Sequence, residues 1–100
     1  MTNIETHEKY KDFLIKIIKE NLPNCKIYLF GSRARKTHRS GADIDIALDT
    51  GEKIKFEILF EIQDKIEESN LPLFVDLVDL NSASNELKME VKNEGILWAN

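Results

Sequence analysis

The chain has 100 residues, 42 % of them hydrophobic, and a net charge of −4, which together predict one globular domain spanning residues 1–100. The acidic balance argues against general nucleic-acid binding, because a phosphate backbone would repel the chain, so direct DNA binding is not expected. The charged N-terminus is unlike a signal peptide, no apolar run approaches the ~20 residues that cross a bilayer, and Cys25 is the only cysteine. We therefore expect a cytoplasmic protein with no membrane contact.

The first predicted element is an amphipathic helix that ends near Asn21 and Pro23. Thr2 and Glu5 have the spacing of a capping box at its start. Apolar residues then recur at i, i+3, i+4, i+7 and i+8, which predicts one buried helix face: Tyr10, Phe13, Leu14, Ile17 and Ile18. His7 is expected on the surface.

A short strand, Lys26 to Phe30, and a basic turn follow. The strand ends at Gly31-Ser32, where Ser32 is expected to cap a short helix through about Thr37. Glycine permits close backbone approach, and free amides at a helix start bind phosphate. The turn also carries cationic side chains that could neutralise phosphate oxygens: Arg33, Arg35, Lys36 and Arg39, with His38 among them. The alternative interpretation is a solvated basic turn.

The second predicted strand, residues 43–48, alternates strictly between two faces. One face carries Ile44, Ile46 and Leu48, and the other carries Asp43, Asp45 and Ala47. Side chains two apart on a strand point the same way, with Cα atoms about 6.5–7 Å apart. Two repelling carboxylates on one face, in a residue type of low strand propensity, indicate a site for a hard cation such as Mg²⁺. The alternative is the exposed polar face of a sheet.

Residues 54–68 predict a long helix, which Asn70 and Pro72 end. Isoleucines recur every fourth position along its inner face: Ile54, Ile58, Ile62 and Ile66. Phe56 and Phe60 project away from this row. One interpretation is that the helix is buried on two sides, or that Phe56 precedes the regular helix. The other is that these rings form an exposed stripe that docks another chain.

The third predicted strand, residues 73–80, contains Asp76 and Asp79 on opposite faces. If the strand is regular, only one of them can face the Asp43/Asp45 pair. Asp76 lies within the apolar run, where an unpaired charge is costly, so Asp76 is the acid of this strand that more needs a partner. Asp79 lies near the strand end, where a solvated acid or a helix cap costs little, so we assign it to structure.

The last predicted helix begins at Asn81 or Ser82 and ends at Gly95, before an apolar tail of residues 96–98. The order of elements predicts an α+β fold with a small mixed sheet of three or so strands and helices packed on one face. The acid-bearing face of the sheet is then left open.

The spacing of Gly31-Ser32, ten residues, and Asp43-Ile44-Asp45 is Gly-Ser-x10-Asp-x-Asp. This signature resembles the DNA polymerase β-like nucleotidyltransferase superfamily, and the run "FGSRAR…SGADIDIAL" resembles its minimal nucleotidyltransferases (MNT). The resemblance implies the polymerase β-like nucleotidyltransferase fold for the single domain. It also implies transfer of a nucleoside monophosphate from a nucleoside triphosphate, with ATP expected, to a hydroxyl.

The resemblance further implies a role for each candidate site residue. Those expected to be catalytic, and also to bind two Mg²⁺ ions, are Asp43, Asp45 and Asp76. Those expected to bind the triphosphate are Gly31, Ser32, Arg33 and Arg35.

Minimal nucleotidyltransferases in prokaryotes are paired with HEPN-domain toxins, so the resemblance implies AMP transfer to a tyrosine of such a partner and an antitoxin role. Two alternatives stay open. The chain could neutralise its partner by contact alone, or it could modify a small molecule such as an antibiotic as a homo-oligomer.

Overall fold

The computed structural model describes residues 6–100, so the predicted capping box at Thr2 and Glu5 lies outside the described residues. The helices are α1 (Thr6–Lys9), α2 (Lys11–Asn21), α3 (Gly31–Arg35), α4 (Phe56–Glu68) and α5 (Asn85–Glu94), with a 3₁₀ turn at Leu80–Ser82. The strands are β1 (Lys26–Phe30), β2 (Ile44–Asp49), β3 (Val75–Asp79) and β4 (Ile96–Ala99). Within residues 6–100, no helix is long and apolar enough to cross a bilayer.

The strands form one mixed sheet in the order β3-β2-β1-β4. β1 is antiparallel to both β2 and β4, whereas β2 and β3 are parallel and are joined by α4 as a crossover helix. The predicted α+β class and small mixed sheet are confirmed. The apolar tail is not a loose end but the edge strand β4, in which Ile96 pairs with Leu29. Local periodicity cannot reveal this strand, because its pairing joins the two halves of the chain.

The main core lies on one face of the sheet, under α2 and α4. The predicted inner faces of both helices are buried there against β2, notably Leu14, Ile18 and Ile62 on Ile44 and Ile46. Burying each such side chain contributes about 1.5–3 kcal/mol. Phe13, which was expected in this core, is instead 41 % exposed, since it lies at the rim of the face.

A smaller core on the opposite face joins α5 to the sheet. Val91 of α5 packs with Phe30 and Ala47, the latter on the same face of β2 as Asp45. Helices therefore pack on both faces rather than on one, because the apolar side of α5 covers the apolar part of the acid-bearing face. The end of that face at which β2 begins stays open.

Candidate functional site

Two neighbouring strands bring the candidate acids together. Asp45 of β2 is the register partner of Asp76 of β3, so the two side chains share one face of the sheet. They are also close together, because neighbouring strands lie about 4.8 Å apart. Asp43 precedes Asp45 by two residues, at the start of β2. Asp43 and Asp76 are exposed, whereas Asp45 is half-buried. Their catalytic and metal-binding roles remain predictions, but the fold gives all three access to one open face.

The electrostatics of Asp45 reflect this crowding. Burial and then the negative charges of Asp76, Asp43 and Glu90 raise the pKa of Asp45 to about 6, and Arg35 opposes the shift. A cation at this position would offset the mutual repulsion of the carboxylates.

Asp79 lies on the opposite face and has a structural role. It is buried, and it accepts hydrogen bonds from the backbone N of Ile54 at 2.8 Å and of Asn81 at 3.0 Å, and from the hydroxyl of Ser82 at 3.0 Å. The premise for choosing Asp76 was wrong, because Asp76 is the exposed acid and Asp79 the buried one. The physical reason is that β3 lies at the sheet edge, where the face that carries Asp76 is solvated. The connection between β2 and α4, which includes Ile54, covers the end of β3 at Asp79.

Gly31 joins the phosphate-binding candidate to the acids. Its φ is +74°, a conformation that L side chains rarely adopt. A Cβ at this position would collide with the Asp45 carboxylate, coming within 3.1 Å of its Cγ. The turn therefore lies directly against Asp45, and glycine is required there on two independent grounds.

Ser32 lines a cavity of about 480 Å³ beside the acids. The rest of the wall is the basic loop that leads into β2: Thr37, His38, Arg39, Ser40, Gly41 and Ala42. Ala42 adjoins Asp43, so the cavity opens beside the acidic face. A wall that carries the cationic Arg39 and the hydroxyls of Ser32, Thr37 and Ser40, next to an acidic face, suits a phosphate chain that carries a metal ion.

Arg33 is buried and makes its contacts inside the protein. Its Nε and Nη2 donate to the carbonyl of Ala42 at 3.0 and 2.9 Å, and its Nη1 lies 3.1 Å from Nδ1 of His7. Arg33 thus ties α3 to the loop and to α1, a placement that favours a positioning role over phosphate contact. His7 is buried, so its expected place on the surface was wrong.

Arg35 is exposed and lies between the candidate site and α5. Its Nη1 is 3.2 Å from Oε2 of Glu90 and 3.5 Å from Oε2 of Glu94, both on α5. Its charge also acts on Asp45. Sequence reasoning missed Glu90 and Glu94, because no local pattern pairs a turn with a helix more than fifty residues later.

The donor set fits a hard cation. Within the described residues, no three His, Cys, Asp or Glu side chains are grouped as a ready-made metal centre. Magnesium does not need one, because it is usually bound by one or two carboxylates together with substrate phosphates and water. The all-oxygen set of Asp43, Asp45 and Asp76 matches that preference.

The sequence profile of the family described as "Polymerase beta, Nucleotidyltransferase" matches residues 12–99. The chain belongs to this nucleotidyltransferase family. Membership confirms the resemblance carried by the Gly-Ser and Asp-x-Asp motifs, and it implies a nucleotide substrate and, in general, a divalent metal ion.

Similar proteins place the nucleotidyltransferase among minimal members of the family. It is 39 % identical over 87 residues to "Protein adenylyltransferase MntA" of Shewanella oneidensis, covering 85 % of this chain and 62 % of that protein. The chain therefore spans about three fifths of the length of this curated relative.

Two solved structures share the fold at more than 30 % identity. A chain in the crystal structure of a toxin–antitoxin pair with AMP-PNP has a TM-score of 0.75 and 36 % identity, over 88 % of this chain and 71 % of that one. A chain in the structure of a tri-AMPylated Shewanella oneidensis HEPN toxin in complex with an MNT antitoxin has a TM-score of 0.71 and 33 % identity, over 92 % of this chain and 71 % of that one.

Proposed function

We propose that this nucleotidyltransferase moves AMP from ATP to a tyrosine hydroxyl of a partner HEPN-domain toxin, and that it acts as the antitoxin of the pair. The proposal treats residues 1–100 as one transferase domain that works in the prokaryotic cytoplasm. The named relatives, a protein adenylyltransferase and an MNT antitoxin in complex with a tri-AMPylated HEPN toxin, support the choice of substrate and partner.

One observation carries the proposal. The register places Asp76 opposite Asp45, while the Gly31 turn lies against the same Asp45 carboxylate. Acids suited to a metal ion and a turn suited to phosphate therefore meet at one side chain. A structural cation site would leave the turn and the basic cavity without a purpose.

In the proposed reaction, the tyrosine oxygen attacks the α-phosphorus of ATP. The bond from that phosphorus to the oxygen bridging the β-phosphate breaks, and pyrophosphate leaves. The phenolic proton passes to Asp76, whose place on the edge strand is open to an incoming acceptor. Ser32 and the basic cavity hold the β- and γ-phosphates, and Arg35 adds positive charge on the α5 side.

Asp43, Asp45 and Asp76 would hold the divalent metal, and we propose two Mg²⁺ ions. When bound, Mg²⁺ neutralises phosphate charge and lowers the pKa of the attacking hydroxyl. The protein contributes a preorganised acidic face, in which the half-buried Asp45 is charged more readily once a cation is present.

The test is incubation of the protein with Mg²⁺ and ATP labelled at either the α- or the γ-phosphate, with and without a candidate HEPN-domain partner protein from the same genome. We expect α-label, and no γ-label, on a tyrosine of the partner. The Asp43→Asn/Asp45→Asn variant should lose this transfer. If that variant still neutralises the partner, contact alone explains the antitoxin role and the catalytic proposal is wrong.

A further inference from the structure

Exposed aromatic side chains follow the outer edge of β3. Phe56, Phe60 and Phe74 are 65 %, 54 % and 53 % exposed. The rings of Phe56 and Phe60, one turn apart on α4, meet edge to face with centroids 4.5 Å apart. Single exposed apolar side chains are ordinary on protein surfaces, but a contiguous group of rings marks an interaction surface. Of the two interpretations left open by the sequence, the structure supports the exposed stripe.

Two shallow hollows join these rings into one groove, which we call the β3-edge groove. The first, of about 220 Å³, lies among Phe56, Phe60 and Leu77. The second, of about 250 Å³, reaches Phe74, and Gln63 lines both hollows. Nε2 of Gln63 donates to the carbonyl of Val75 at 2.9 Å. This hydrogen bond holds α4 against β3 at the point where the two hollows meet. At 1.5 Å per helical residue, the groove is about 16 Å long from position 56 to position 67.

The groove leads to the candidate site. The carbonyl of Phe74 accepts a hydrogen bond at 2.9 Å from the backbone N of Ile44, the residue between Asp43 and Asp45. Phe74 directly precedes the edge strand β3, and Asp76 is the second residue of that strand. Leu77, which lines the groove, and Asp76 lie on opposite faces of β3, so a polypeptide seated in the groove reaches Asp76 by passing around this open edge of the sheet at Phe74.

The border of the groove is acidic. Exposed carboxylates run along α4, namely Glu57, Glu61, Asp64 and Glu67. Lys65, the only basic residue of α4, lies 3.7 Å from Glu61 and so is partly neutralised. An occupant that sets basic residues beside its apolar anchors would be complementary in charge to these solvated carboxylates, which favours such an occupant over a neutral or acidic chain.

We propose that the β3-edge groove receives the acceptor polypeptide itself, through two apolar anchor side chains set among basic residues, and that docking there brings its acceptor hydroxyl to Asp76. This inference rests on the function proposed above and names the surface through which that function selects its partner. Continuity with the candidate site and the complementary charge both select the acceptor rather than a second copy of this acidic chain. The exposed Phe56–Phe60 pair is the energetic centre of the contact, as aromatic anchors usually are.

The test compares Phe56→Ser/Phe60→Ser with Phe13→Ser, a matched control whose ring is 41 % exposed on α2. For each protein, calorimetry gives the Kd of the candidate HEPN-domain partner protein and, separately, of Mg²⁺ with a non-hydrolysable ATP analogue. Labelled transfer gives kcat and the KM for the HEPN-domain protein. The groove variant should raise the partner's Kd and KM at least tenfold while kcat and nucleotide affinity stay unchanged. Phe13→Ser should behave as wild type.

An unchanged partner Kd and KM in the groove variant would overturn the inference. If the wild type binds the partner through the groove but transfers no AMP, the proposed function fails and the docking surface stands. If transfer occurs with a groove-independent KM, the proposed function stands and the docking surface fails. Failure of the wild type to bind this partner overturns both. Asp64→Lys, which reverses charge without removing a ring, provides a second variant and should also raise the partner's KM.

Discussion

The bare Cα of Gly31 lies against the carboxylate of Asp45, so that no side chain fits between the turn and the acid. Two motifs that are separate in the sequence are thus one physical unit. Any change that moves the turn therefore also moves the half-buried acid.

Gly31→Ala should reduce labelled transfer sharply and destabilise the fold. A left-handed backbone costs an alanine about 1–2 kcal/mol, and the added methyl group must displace Asp45. Gly51→Ala is the control, since Gly51 has a φ of +87° with nothing within 4 Å of an added Cβ. Urea unfolding should show that the control loses about 1–2 kcal/mol of unfolding free energy, from the left-handed backbone alone, with transfer intact. Equal transfer by both variants would contradict the contact.

Asp45→Asn should abolish transfer yet stabilise the metal-free protein at neutral pH. The folded-state pKa of Asp45 is raised from 3.8 to about 6, so this group's favourable contribution is present below pH 4 and is lost as the pH rises through 6. After allowance for solvent screening, the gain from the substitution is about 1 kcal/mol at pH 7. Thermal melts from pH 4 to pH 7 measure it.

Asp49→Asn is the matched control, for which we expect the opposite change in stability at neutral pH. The Asn81 side chain and the Gly51 amide hold the pKa of Asp49 below its usual value, so its contribution is present at neutral pH and is lost on acidification. This variant should be less stable than wild type at pH 7 and equal to it at low pH. If the two variants show the same pH trend, the assigned environments are wrong.

Asp76→Asn and Asp79→Asn should separate catalysis from stability. Asp76 is exposed on the edge strand, so its substitution should cost about 100-fold or more in kcat with little change in Tm. Asp79 is buried and accepts three hydrogen bonds, so its substitution should cost about 1–3 kcal/mol of unfolding free energy. The folded fraction of the Asp79 variant should still transfer AMP. A reversal of these outcomes would move the third carboxylate to Asp79.

Arg33→Gln and Arg35→Gln should also differ. Arg33 is buried with contacts to Ala42 and His7, so its loss should lower Tm by several degrees. Arg35 makes solvent-exposed ion pairs with α5, which contribute less than about 1 kcal/mol, so its loss should leave Tm nearly unchanged. We expect it to raise the KM for ATP instead. Unchanged ATP kinetics in the Arg35 variant would remove Arg35 from the site.

Short-range patterns in the sequence were enough to predict most of the helices and strands and to identify the family. Alternation in residues 43–48 places Asp43 and Asp45 on one face, and apolar periodicity identifies the buried sides of α2 and α4. The strand Lys26–Phe30 is predicted to the residue. These features depend on side chains only a few positions apart. The regular geometry of a strand or a helix places side chains at such spacings on the same face.

Only the tertiary structure decided which partner each charged side chain contacts and which surfaces are covered. Arg33 turns inward to Ala42 while Arg35 reaches Glu94, and the apolar tail closes the sheet as β4. The burial of Asp79 and the exposure of Asp76 likewise follow from the position of β3 at the sheet edge. The physical reason is that such contacts join residues brought together by strand pairing across long stretches of chain, and a linear pattern carries no information about that pairing.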